Sequence, residues 1–190
     1  MYQVNIIDPN GKASVMQLGR REEHRVDVQD VEHWLKHPER IGSSGALIRL
    51  ARQGDSLVRS TLFANMDNEV FFDCVLSLAG EGDAGAMEAL IREADNPKCW
   101  EMLQFFAQRH DERAIDFVLR NTHKEGGLQC AITLAEQACP EAKEYIRDFC
   151  ALIRLADKGN PLAYDALYAH RDYNLECRNR IMRLVAVTPD

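Results

Sequence analysis

Leu50-Ala51-Arg52-Gln53-Gly54-Asp55 and Leu78-Ala79-Gly80-Glu81-Gly82-Asp83 decide how this chain is read. The same phrase returns as Phe106-Ala107-Gln108-Arg109-His110-Asp111, as Leu134-Ala135-Glu136-Gln137-Ala138-Cys139-Pro140 and as Leu155-Ala156-Asp157-Lys158-Gly159-Asn160-Pro161. Its alanines stand at 51, 79, 107, 135 and 156, so the spacings are 28, 28, 28 and 21. A fixed period in this range is the mark of a repeat architecture. The phrase also has a physical sense: Leu-Ala closes an apolar helical stripe, Gly supplies a helix stop, and Asp or Asn can cap the next helix.

Working outward, Val70, Phe71, Cys74, Val75, Leu78 and Ala79 form one apolar helical stripe, ended by Gly82. Asp83 then opens a second stripe, Ala86, Met87, Leu90, Ile91 and Ala94, which stops at Asn96-Pro97. Each unit therefore reads as helix, turn, helix. Asn160 takes the N-cap place before Pro161, whose missing N–H costs nothing at the first helical position. The short interval has a reason too: Glu141 to Lys158 contains no Gly or Pro, which predicts two helices merged into one. Seven missing residues are about two helical turns, so the stripe stays in phase. Tyr164, Leu167 and Tyr168, then Leu175, Ile181, Met182 and Val185, predict two closing helices, for about ten or eleven in all.

The first residues obey a different rule. Tyr2 to Ile6 alternates apolar and polar, Ala13 to Leu18 is again apolar-rich, and Asp8-Pro9-Asn10-Gly11 has turn chemistry. A short β-hairpin is expected. A charged connector, Arg20 to Arg25, leads to Val28, Val31, Trp34 and Leu35 at helical spacing, closed by Pro38. Gly42-Ser43-Ser44-Gly45 is a break, with Ser44 expected to cap the next helix. Residues 1–45 read as a hairpin and capping helix, and 46–190 as a helical-repeat solenoid forming a single compact unit with that cap.

Such units bury their apolar faces only against one another. The L-x-x-x-G-D-x-x-A core, matched best at Gly54-Asp55 and Gly82-Asp83, resembles the short HEAT-like repeats of the HEAT and armadillo class of α-solenoids, over roughly residues 46 to 172. The resemblance implies an all-α, α-α superhelix.

Composition narrows the function. The 190 residues are 46% hydrophobic and 28% charged, a globular balance, with net charge −7. That excess of acid argues against nucleic acid, whose phosphates need clustered Lys and Arg. The N-terminus lacks the pattern of a signal peptide, and the longest apolar run, Phe149 to Ile153, is far too short to span a membrane. Six cysteines (74, 99, 130, 139, 150 and 177) include no C-x-x-C pair, and most lie in helical stripes, as reduced thiols of a cytoplasmic protein would.

Gly80-Glu81-Gly82-Asp83-Ala84-Gly85 matches the dinucleotide fingerprint, but a helical stripe precedes it and its two acids would repel phosphate; it reads as a turn. His110-Asp111 and the i, i+4 pair His33 and His37 could be metal ligands, yet neither has a third ligand nearby in sequence. No nucleophile motif is present. Catalytic residues, metals and cofactors are accordingly all assigned as none. The charge pattern is more informative: residues 67–95 hold eight acids against Arg92 alone. Asp83 and Asp67 suit caps, whereas an acidic patch of Asp67, Glu69, Asp73, Glu81 and Glu88 would attract a basic protein. Phe72, Trp100 and Phe105 sit beside their stripes and are further contact candidates. The reading is a non-catalytic protein-binding module, a stoichiometric inhibitor such as an immunity protein, or an adaptor. A HEAT-like nucleic-acid-binding protein and a helical metal-dependent hydrolase or lyase are the alternatives.

Overall fold

The computed structural model describes residues 2–7, 13–18, 28–40 and 42–187. The described residues include eleven helices: α1 Val28–Lys36, α2 Ser43–Arg52, α3 Ser56–Ala64, α4 Glu69–Gly80, α5 Ala84–Arg92, α6 Pro97–Gln108, α7 Glu112–Arg120, α8 Gly127–Glu136, α9 Pro140–Asp157, α10 Pro161–Tyr168 and α11 Leu175–Val187. Tyr2–Ile7 (β1) and Ala13–Leu18 (β2) are extended and antiparallel, with Tyr2 opposite Leu18. The turn expected at Asp8 to Gly11 and the connector at Arg20 to Arg25 lie outside the described residues.

The period seen in the sequence is a period of backbone geometry. Helices α3, α5, α7 and α9 begin at Ser56, Ala84, Glu112 and Pro140, at the spacing of the sequence repeat, and α10 begins at Pro161 after the shorter interval. The residue two places before each start is left-handed: Gly54 (φ 86°), Gly82 (87°), His110 (66°), Ala138 (70°) and Gly159 (84°). All five turns carry the same pair of hydrogen bonds. At the second, Asp83 N–H donates to Leu78 O and Gly82 N–H to Ala79 O; at the third, Asp111 N–H donates to Phe106 O and His110 N–H to Ala107 O. Bonds of this kind use up the orphan carbonyls of the preceding helix. His110 and Ala138 keep the conformation without glycine, so the turn outlasts its preferred residue.

The next helix is then capped. Oδ1 of Asp55, Asp83, Asp111 and Asn160 accepts from the N–H of Val58, Ala86, Ala114 and Ala163 at 2.9–3.1 Å. Asn68 and Asn96, separated by the same period, cap α4 and α6. Two expected caps are not made. Asn68 is the cap of α4, leaving Asp67 exposed in the turn before it. Helix α2 starts one residue before Ser44 behind a left-handed Gly42, and Ser43 turns its hydroxyl back to the His37 carbonyl.

Each helix from α1 to α9 packs on the next, α2 on α4, α5 on α7, α6 on α8 and α7 on α9 pair alternate helices, and α11 packs on α8 and α9. One apolar core runs from Val31 to Ile181. The merged helix is present as α9, 18 residues long. All six cysteines are free and buried in this core. Burial pushes the Cys74 and Cys130 thiols up to about 11, which suppresses their thiolates.

Candidate functional site

The acids of residues 67–95 divide into two groups. Four are tied to bases from neighbouring units: Glu81 to Arg52, Asp83 to Arg59, Glu69 to Lys98 and Asp95 to Lys124. In three of these pairs the partners stand one period plus one place apart, so they arise from the repeat itself. The Arg59 pair is the most enclosed. Its guanidinium donates to both Asp83 oxygens at 2.7 and 2.8 Å and to Ala51 O at 3.1 Å, and it lies over the Phe63 ring. The Arg59 hydrogen bonds hold the Asp83 carboxyl below the usual carboxylate range. Asp67, Asp73, Glu88 and Glu93 are exposed and have no ion pair among the described residues. Of the five acids predicted as a patch, two are therefore inter-unit ties and three are unmatched charge.

The fingerprint-like glycines sit in one of the repeat turns. Gly80 ends α4, Gly82 makes the left-handed step, and Gly85 leaves the room that Arg59 occupies: a Cβ there would fall 2.8 Å from Nη2. Asp111, the possible metal ligand, caps α7, and His110 is the exposed left-handed residue of its turn. His33 receives a hydrogen bond at Nε2 from Arg40 Nη1 (2.8 Å), and His37 lies 3.5 Å from Glu39. Among the described residues no three His, Cys, Asp or Glu side chains converge as metal ligands do.

Apolar exposure is concentrated where the sequence did not place it. Leu162 (77% exposed), Tyr164 and Tyr168 (72%) stand out from α10, and Leu175 (72%) starts α11. The two tyrosine rings stack with centroids 6.1 Å apart. Only Leu167 of the expected α10 stripe is buried. Of the aromatic candidates, Phe105 is half-exposed with Arg109 over its ring, Phe72 is partly covered, and Trp100 is buried with its indole N–H on Glu125 O at 2.6 Å.

Two features lie outside the sequence-predicted patch. A cavity of about 430 Å³ opens between α8, α9 and α11, with four cations on its walls. Beside the loop into α11, His170 Nδ1 and Asp172 Oδ2 are buried without a hydrogen-bond partner. Burial lowers the His170 pKa and raises that of Asp172, because it disfavours the charged form of each.

No family model matches the chain, and comparison with curated proteins and with solved structures finds no match either. No helix among the described residues is long and apolar enough to cross a membrane.

Proposed function

We propose that this chain is a HEAT-like α-solenoid, closed at its N-terminal end by a β-hairpin, that acts without catalysis by binding a basic protein. Such a module suits a cytoplasmic stoichiometric inhibitor, of the kind an immunity protein is, or an adaptor. The observation that carries the reading is the division of the acids. Glu69, Glu81, Asp83 and Asp95 pair with bases of neighbouring units, while Asp67, Asp73, Glu88 and Glu93 are exposed with no ion pair among the described residues. Exposed charge of one sign speeds encounter with a partner of the other. The exposed tyrosines of α10 add a residue type enriched in protein interfaces.

The test is capture of partners by the purified protein from its native source, with the purified protein checked in parallel for bound nucleic acid and metal. A basic protein retained in stoichiometric amount and released at high salt is the expected result. Recovery of nucleic acid, or of tightly bound metal without a protein partner, overturns it.

A further inference from the structure

We propose that the cavity between α8, α9 and α11 binds a small soluble amphipathic anion, an organic molecule carrying one carboxylate or phosphate group on an apolar body. The site is distinct from the acidic surface and is independent of the protein-binding reading. Its volume, about 430 Å³, is in the range of small-molecule pockets. Helix α9 contributes Lys143, Ile146 and Arg147, and α11 contributes Arg180, Arg183 and Leu184. These are the same i, i+3, i+4 positions on both helices, so each offers two cations and one apolar side chain to the space between. Ile146 is fully buried beneath it, an apolar floor under a cationic rim.

Among the described residues three of the four cations make no ion pair, and Arg183 Nε donates to Asn179 O at 3.3 Å. Among the described residues only Arg180 has a carboxylate partner: its Nε and Nη2 donate at 3.0 and 2.6 Å to Glu136, which also lines the cavity, and this fixes that wall. Arg183 lies near enough to help hold Glu136 ionised but makes no ion pair among the described residues, and neither do Lys143 and Arg147. The acids on the same helix, Glu144 and Asp148, are not among the lining residues. Three cations without an ion pair among the described residues thus line one apolar-floored space that holds a single carboxylate, Glu136, in a chain of net charge −7. An anion meets them with charge-assisted hydrogen bonds, and an apolar body covers the partly exposed Leu184 and Val185. A hydrated inorganic anion would use only the first of these.

Calorimetric titration of the full chain with decanoate, octyl phosphate and inorganic phosphate tests this. The expected result is saturable one-to-one binding of decanoate or octyl phosphate, with inorganic phosphate at least about tenfold weaker. Arg147→Glu and Arg183→Glu should each weaken binding about tenfold. Lys143→Glu guards against misfolding, because an acid in the first turn of α9 suits the helix dipole, and it should weaken binding in the same direction. Failure of both amphipathic anions to bind, equal binding of inorganic phosphate, or indifference to all three substitutions overturns the proposal. So does binding to phosphatidylglycerol vesicles or an oligonucleotide in place of the soluble anions.

Discussion

His110 and Ala138 stand at φ 66° and 70°, where three sister turns have glycine. An L side chain in that region costs roughly 1–2 kcal/mol, and glycine returns part of the gain through its freer unfolded state. His110→Gly and Ala138→Gly are each expected to raise stability by about 0.5–1 kcal/mol in urea denaturation, and Gly82→Ala to lower it by about 1 kcal/mol. Loss of stability in both glycine variants would mean that the turns are not equivalent. Asp83 offers a second test at this scale, because Asp83→Asn keeps the cap and removes the charge opposite Arg59. The folded carboxyl has a pKa below its unfolded value, so the stabilisation is complete above the unfolded range, about 4, and is lost as pH falls toward the folded value. The wild type should exceed Asp83→Asn by about 1 kcal/mol near neutral pH, with the difference shrinking below about pH 4. A constant difference across that window would deny the ion pair any part in stability.

At the scale of the element, helix boundaries were legible wherever a cap or stop residue is chemically distinctive. Asp83, Asp111 and Asn160 cap as their types require, and Gly82 and Gly159 stop helices as glycine does. Asp67 misled because it stands next to Asn68, which is equally able to serve, and Ser44 because α2 starts at Ser43 behind the left-handed Gly42 with no side-chain cap. Periodicity finds the apolar face of a helix but does not say whether anything packs on it. Tyr164 and Tyr168 are therefore correctly spaced and still exposed, because α10 packs chiefly on α9. The cavity was illegible for another reason: Lys143 and Arg147 lie far in sequence from Arg180 and Arg183, and only the packing of α9 against α11 unites them. Arg178 and Arg180 likewise pair with Asp157 and Glu136, carboxylates far from them in sequence.

For the whole molecule, equivalence of the units makes a stronger prediction. Deleting residues 84–111 removes one full period and places Asp83 directly before Glu112, where it can cap α7 as Asp111 does. That shortened chain should stay helical and unfold cooperatively, at lower stability, because each unit mainly contacts its neighbours. Deleting residues 84–97, half a period, should abolish cooperative unfolding; circular dichroism during thermal melting separates the two outcomes. The functional claim belongs to this scale as well, since it concerns which charges remain after the units are joined. Its most direct test is the affinity of the captured partner for wild type, for Asp67→Lys/Asp73→Lys/Glu88→Lys and for Glu69→Lys/Glu81→Lys, each at low and high salt. The first variant should bind about tenfold or more weakly and with less salt dependence, while the second changes less. Equal effects from both variants, or none from the first with the fold intact, would contradict the proposed role of the unmatched acids.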